Sequence, residues 1–188
     1  MDISSGNPKP KTSPIMALTK DGHGSMHKAE AGAYGEALIR LELSRAHWPL
    51  VFSCQGVGID ILAVSAPPQR RRIAISVKCR DRDTKNRYET TFIFRERPGK
   101  YSADHEIQRF EEVGEWLSAE PWIAVVTIMP EFTYSHLLSL DHYKNTYATS
   151  SRNKAWNNTE KWLAIYAADP KILGNKKPGV PGIWTLPK

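Results

Sequence analysis

The sequence predicts an α/β or α+β protein with one central mixed sheet that is flanked by helices. Two observations lead to this prediction. Apolar residues recur at helical spacing in three separate segments, and short apolar segments between them alternate or run continuously as strands do. The segments follow the order helix, strands, helix, strand and a final helical part, which is typical of a sheet covered by helices. The chain of 188 residues is 40% hydrophobic, enough for one substantial core.

The first helix is predicted over residues 25–47. Ser25 is a suitable N-cap, and Trp48 before Pro49 ends the helix because a residue that precedes proline is disfavoured in helical conformation. Its buried side is expected to consist of apolar residues at helical spacing, namely Ala29, Ala33, Ala37, Leu38 and Leu41.

Strands are predicted over residues 50–53, 58–64, 73–80 and 88–94, the last as a further extension of the sheet. Residues 73–80 alternate between two sets, which indicates a half-buried strand. One set is Ile73, Ile75 and Val77, and the other is Ala74, Ser76 and Lys78.

A second helix is predicted over residues 103–118, followed by a buried strand over 122–129 and a weaker strand over 132–140. A final helix is expected over 156–168, with Trp162, Ile165 and Tyr166 on its buried side, and an irregular end from Pro170. The chain is therefore divided into a flexible leader (1–24), a core domain (25–140) and a C-terminal helical appendage with a tail (141–188).

Composition excludes several protein classes. Two cysteines are too few for a disulfide scaffold, and no apolar run reaches the roughly 20 residues of a membrane-spanning helix. The N-terminal residues have no signal-peptide pattern, so a cytoplasmic location and no membrane partner are expected. A formal net charge of +6 favours an acidic partner.

Three polar side chains are predicted to share one cleft. Asp60 begins one strand and Lys78 lies near the end of the next, so a hairpin brings them to the same end of the sheet. Glu36 lies on the first helix beside Gly35, and Gly32 is near. Glycines without side chains would let this helix approach the sheet closely.

These residues stand in three motifs: Gly-Ala-Tyr-Gly-Glu over 32–36, Gly-x-Gly-Ile-Asp-Ile-Leu-Ala-Val over 56–64, and Ile-Ser-Val-Lys over 75–78. Together they resemble the PD-(D/E)XK nuclease superfamily, in particular its archaeal Holliday junction resolvase-like and restriction endonuclease-like branches. The resemblance implies a restriction endonuclease-like core of a helix, three strands, a helix and a strand.

The same resemblance implies a function. The chain would be a metal-dependent DNA endonuclease that hydrolyses phosphodiester bonds, on branched DNA by family likeness, and a homodimer. Glu36 and Asp60 would bind Mg²⁺, with Mn²⁺ as a substitute, and Lys78 would be the catalytic lysine. Carboxylate oxygens are suitable ligands for Mg²⁺, which lowers the pKa of a bound water and neutralises developing charge.

One position departs from the superfamily pattern, because Ser76 stands where an acid is usual. Three outcomes are open. Glu36 and Asp60 suffice, with the Val77 carbonyl and waters completing the metal sphere. Another acid substitutes, with Asp81, Asp83 and Glu89 as candidates. Alternatively, catalysis is lost, and the fold binds nucleic acid or a protein partner without cleavage.

A basic stretch follows the second predicted strand. Residues 70–100 contain eleven basic and four acidic residues, a net charge of +7, whereas the rest of the chain is close to neutral. Lysine and arginine contacts to phosphates give sequence-independent affinity for nucleic acid. The residues expected to provide such contacts are Arg70, Arg71, Arg72, Arg80, Arg82, Lys85 and Arg87.

Overall fold

The fold was analysed on a computed structural model, which describes residues 28–54, 58–81, 90–94, 102–129, 132–148, 154–174 and 184. The helices of this part are α1 (Lys28–Arg45), α2 (Ala103–Trp116), α3 (Leu140–Thr146) and α4 (Glu160–Ala168). The strands are β1 (Leu50–Ser53), β2 (Ile61–Val64), β3 (Arg72–Asp81), β4 (Thr90–Phe94), β5 (Glu120–Ile128), β6 (Thr133–Ser139), β7 (Lys154–Asn157) and β8 (Leu173–Gly174). No helix among these residues is both long and apolar enough to cross a membrane.

Six strands form one mixed sheet in the order β1-β2-β3-β5-β6-β8. β3 and β5 are parallel, and the other neighbouring pairs are antiparallel. The predicted α/β fold with a central mixed sheet is confirmed. Its order of α1, β1 to β3, α2 and β5 is the one that the resemblance implies, with β4 inserted before α2.

Alternation along β3 divides the core into two clusters, one on each face of the sheet. Ile73 and Ile75 belong to a cluster with the α1 residues Ile39 and Leu43, here called the α1-side cluster. Ala74 belongs to a second cluster that contains α2 residues, here called the α2-side cluster. The predicted two-residue period of this strand is therefore confirmed, and helices cover both faces of the sheet.

The buried side of α1 differs from the predicted one. The buried residues of α1 follow a four-residue spacing: Ala31, Gly35, Ile39 and Leu43. Most of the predicted side is exposed instead, namely Ala29, Ala33, Ala37 and Leu41, whereas Leu38 packs partly against the core. Both sets fit a helical period. The observed set is the buried one because its Ile39 and Leu43 bury more apolar surface than the alanines of the predicted set. The predicted cap Ser25 lies outside the described residues.

Several boundaries also differ from prediction. β4 does not extend the main sheet but pairs with β7 in a separate two-stranded sheet. The last helix begins at Glu160, because residues 154–157 form that partner strand. Its buried residues are Leu163 and Tyr166, so the prediction that Ile165 is buried is wrong. β2 begins at Ile61 rather than at Gly58, which has a φ of 81°.

Residues after position 140 share the core with those before it. Trp156 and Tyr166 belong to the α2-side cluster, and Leu173 and Trp184 to the α1-side cluster. The predicted domain boundary at residue 140 stays a prediction.

A buried chain of hydrogen bonds joins the two sheets. Asn158 accepts a hydrogen bond from Thr127 of β5 (3.0 Å) and donates one to Thr91 of β4 (2.9 Å).

The close approach of α1 to β3 depends on Gly35. A Cβ added there would lie 2.7 Å from the Cβ of Cys79, whereas one added at Gly32 meets nothing within 4 Å. The predicted role in close packing is therefore confirmed for Gly35 and wrong for Gly32.

We expect Gly35→Ala to lower the free energy of unfolding by about 1–2 kcal/mol, since overpacking outweighs the gain in helix propensity. Gly32→Ala is the matched control and should raise that free energy by about 0.5–1 kcal/mol. Urea unfolding of both variants measures the difference. Equal stabilities of the two variants would show that the contact with Cys79 is not close.

Candidate functional site

Asp60 lies where β2 stops short of its neighbour β3. β2 pairs only with the first part of β3, from Arg72 to Ile75. Beyond it, the Val77 amide donates to Oδ2 of Asp60 at 2.6 Å. The carboxylate thus occupies the place of a backbone acceptor, and this hydrogen bond fixes its position at the end of the strand ladder.

A bulge at the start of β2 turns this side chain toward β3. Ile61 is the register partner of Ile75, yet the Asp60 amide also donates to the Ile75 carbonyl at 2.9 Å. Two consecutive residues therefore oppose one, which is the pattern of a β-bulge. The extra residue explains why Ile59 lies in the α2-side cluster and Ile61 in the α1-side cluster, although a regular strand would place both on one face.

Ser76 is buried next to the same carboxylate. Its side chain is 3% exposed, and its Oγ lies 3.5 Å from Oδ2 of Asp60. This distance is at the long limit of a hydrogen bond, so the interaction is weak. Among the described residues, none donates a hydrogen bond to Oδ1, the other carboxylate oxygen of Asp60. Ser76 therefore lies on the Oδ2 side of the carboxylate, and within the described part of the chain Oδ1 is open to a ligand.

Glu36 approaches Asp60 from α1. The neighbouring Gly35 packs on Cys79 and Val77, which places this turn of α1 over the second half of β3. Burial raises the pKa of the Glu36 carboxyl, and the charge of Asp60 raises that pKa further, whereas the charge of Arg40 opposes both. The two carboxylates are thus close enough to repel each other, a situation that a bound cation relieves.

Val77 and Lys78 complete this end of the sheet. The N–H and C=O of one strand residue point to the same side, so the Val77 carbonyl faces the side on which Asp60 lies. Lys78 is half-buried and lies two residues after Ser76, hence on the same face of β3. The structure therefore brings together Glu36, Asp60, Ser76 and Val77, with Lys78 adjacent along the strand.

The donor set fits a hard divalent cation. Two carboxylates and one backbone carbonyl are oxygen ligands of the kind that Mg²⁺ binds while it keeps several waters. Among the described residues, no group of three or more His, Cys, Asp or Glu side chains could hold a metal.

Of the candidate substitute acids, Asp83 and Glu89 lie outside the described residues. Asp81 ends β3, and its charge, together with burial as the larger cause, raises the pKa of Cys79 to about 11.

The basic residues are divided between two ends of the sheet. Arg72 pairs with Val64 at the end of the β2–β3 hairpin that is opposite Asp60, with Arg70 and Arg71 in the preceding turn. Arg71 forms an ion pair with Glu120 at 2.6 Å. Arg80 follows Lys78 by two residues on the same face of β3, whereas the remaining predicted contacts lie outside the described residues, namely Arg82, Lys85 and Arg87.

Arg40 is a residue of this site that the sequence prediction missed. It lies four residues after Glu36 on α1, and its Nη1 donates to Oγ of Ser53 at 2.8 Å. The four-residue spacing of opposite charges on a predicted helix was the signal that could have identified it.

The fold and site thus define a mixed-sheet α/β protein that places two carboxylates near each other at the start of β2. Among solved structures, the chain is similar to a Holliday junction resolvase from the archaeal hyperthermophile Archaeoglobus fulgidus, with 17% identity and a TM-score of 0.45 over 70% of this chain and 85% of that one. A comparison with protein-family models gave no match, and neither did one with curated proteins.

The Asp60 carboxylate has a structural role that two substitutions can separate from metal binding. Asp60→Asn keeps an oxygen that accepts from Val77, so we expect a melting temperature close to that of the wild type. Asp60→Ala leaves the Val77 amide without its acceptor and should cost about 1–2 kcal/mol. Thermal unfolding without divalent metal measures both. Equal stability of the two variants would contradict the structural role of this hydrogen bond.

The raised pKa of Glu36 predicts a pH-dependent cost to stability. Because the folded-state pKa lies above the unfolded value, the folded protein gains from protonated Glu36 at low pH and loses this gain as the pH rises through the folded-state pKa. Without metal, Glu36→Gln should therefore be more stable than the wild type at pH 7, and this difference should vanish at pH values below the unfolded pKa.

Glu42→Gln is the control for this experiment, since Glu42 lies on the same helix and pairs with Arg45 at 3.2 Å. It should give no gain at pH 7. Added Mn²⁺ should stabilise the wild type but not Glu36→Gln, because a ligand stabilises only the state that binds it. A melting temperature of Glu36→Gln below that of the wild type at pH 7 would contradict the repulsion between the carboxylates.

Proposed function

We propose that this protein is a metal-dependent endonuclease that hydrolyses phosphodiester bonds of DNA at the start of β2, beside Asp60. The observation that carries the proposal is that Glu36 of α1 and Asp60 before β2 lie within electrostatic reach of each other beside β3. Two carboxylates that repel each other in a half-buried position lower the stability of the folded protein. A divalent cation bound between them would remove this repulsion and could take part in phosphodiester hydrolysis.

Each residue of the site has a role in this proposal. Glu36, Asp60 and the Val77 carbonyl hold Mg²⁺, or Mn²⁺ in its place. The cation would supply an activated water and would neutralise charge that develops on the phosphate. Lys78 is a compact cation next to the site, suited to orienting the attacking water or to stabilising the charge of the transition state. Ser76 supports the Asp60 carboxylate.

A second candidate function is the binding of nucleic acid, or of a protein partner, by a nuclease-like fold that does not cleave DNA. The observation that favours it is Ser76 in the position where an acid is usual. A neutral hydroxyl is a poor magnesium ligand beside carboxylates. Branched DNA as the substrate and a homodimer as the assembly rest on the sequence resemblance alone.

A cleavage assay tests the first candidate. Linear duplex, single-stranded and four-way-junction DNA are incubated with the wild type in Mg²⁺ and in Mn²⁺, beside Asp60→Asn and Lys78→Ala. We expect cleavage by the wild type and a loss of roughly 100-fold or more in either variant. Lys161→Ala, which removes an exposed lysine of α4, is the matched control and should cleave like the wild type.

Absence of cleavage by the wild type on every substrate, with binding that weakens as salt increases, would contradict the enzyme and support the non-cleaving function. Ser76→Glu then shows whether the missing acid is the reason, because it should restore cleavage if the remainder of the site is intact. Absence of any salt-dependent DNA binding would leave a protein partner as the ligand.

A further inference from the structure

Arg40 is held at the edge of the candidate metal site. Glu36 and Arg40 each follow a buried residue of α1, Gly35 and Ile39, and so they lie on the same flank of the helix one turn apart. The charge of Arg40 acts on the Glu36 carboxyl. The guanidinium therefore lies within electrostatic reach of a candidate metal ligand.

Ser53, at the end of β1, binds this guanidinium, and the same end of β1 contacts Asp60. The hydrogen bond from Arg40 Nη1 to Ser53 Oγ measures 2.8 Å. Ser53 is the last residue of β1 and the register partner of Ile61. The next residue, Cys54, donates its amide to the Asp60 carbonyl at 2.9 Å. Arg40 and Asp60 are thus both anchored to the junction of β1 and β2.

The guanidinium of Arg40 retains hydrogen-bonding capacity. A guanidinium carries five N–H donors in a planar fork, and the bond to Ser53 uses one of them. Within the described part of the chain, no carboxylate lies within ion-pair distance of Arg40. Arg45 and Arg71 differ in this respect, since Arg45 pairs with Glu42 at 3.2 Å and Arg71 with Glu120 at 2.6 Å.

We propose that Arg40 binds a phosphate oxygen of the nucleic-acid backbone next to the bond that the site would cut, with Ser53 holding the guanidinium in place. This inference rests on the proposed function. A polyanion that approaches two carboxylates is repelled unless a cation lies beside them, and Arg40 supplies a fixed one. Its planar fork matches the oxygens of a phosphate group. Arg70, Arg71 and Arg72 lie at the opposite end of the hairpin and do not fill this role at the site.

The test compares the salt dependence of DNA binding for the wild type, Arg40→Gln and Arg40→Lys. Fluorescence anisotropy with labelled duplex and four-way-junction DNA is recorded at several salt concentrations with Ca²⁺ as the cation, and a gel checks that the DNA stays intact. Arg45→Gln is the matched control, because it removes the same charge from the same helix at an arginine paired with Glu42.

For Arg40→Gln we expect a Kd about tenfold higher than that of the wild type. The slope of log K against log salt should fall in magnitude by about 0.9, the value for one lost phosphate contact on duplex DNA. Arg40→Lys should keep the slope, since the charge remains, with a Kd between the two. Arg45→Gln should match the wild type, and all variants should melt close to the wild-type temperature.

A wild type that binds DNA, together with an Arg40→Gln slope unchanged or lowered no more than that of Arg45→Gln, would overturn the role of Arg40 and leave the proposed function intact. A wild type without salt-dependent binding would overturn the proposed function itself. The slope is the decisive measurement, because a merely structural loss at Arg40 would weaken binding without removing a counterion-releasing contact.

Discussion

The candidate site depends on one hydrogen bond, from the Val77 amide to the Asp60 carboxylate at 2.6 Å. β2 begins only after this point while β3 extends past it, so the edge of β3 needs an acceptor that the β2 backbone does not provide. The carboxylate supplies it and is thereby fixed beside the Val77 carbonyl. Gly35 lets α1 pack on the same stretch of β3, which brings Glu36 to the other side of this point. The contact that orders the edge of β3 therefore also positions the Asp60 carboxylate of the site.

The proximity of Glu36 and Asp60, which the proposed function needs, lowers the stability of the metal-free fold. Two acidic side chains near each other in a half-buried position raise the pKa of Glu36, so the ionised site lowers the stability of the metal-free fold. The cost is offset by the packing beneath it, where Ile39 and Leu43 are fully buried against the sheet. Arg40 offsets part of the repulsion from the solvent side. A cluster of charges that the fold maintains against its own stability is a recognised mark of a functional site.

The sequence predicted the parts of this structure that are encoded locally. Alternation along β3 identified the two faces of the sheet, and the motifs around Asp60 and Lys78 predicted residues that the structure places at one end of the β2–β3 pair. The buried side of α1 was predicted wrongly, because two stripes had helical spacing and only the packing of Ile39 and Leu43 against the sheet decides between them. The basic stretch is continuous in the sequence, yet the β2–β3 hairpin places Arg71 at the end of the sheet opposite Asp60. The Arg40–Ser53 contact joins a helix to a strand and has no signature within either segment.

The repulsion between Glu36 and Asp60 also explains the consequence of a serine at position 76. Its side chain is almost fully buried against the Asp60 carboxylate, so an acid there would put a third negative charge beside two that already repel each other. A hydroxyl avoids this cost, and the metal-free fold is correspondingly easier to maintain. In the proposed function the consequence would fall on the cation, because a site with two carboxylates and a carbonyl would hold Mg²⁺ more weakly than one with three carboxylates and would leave more of its coordination to water. Ser76 would then lower the affinity for the metal and raise the stability of the protein without it.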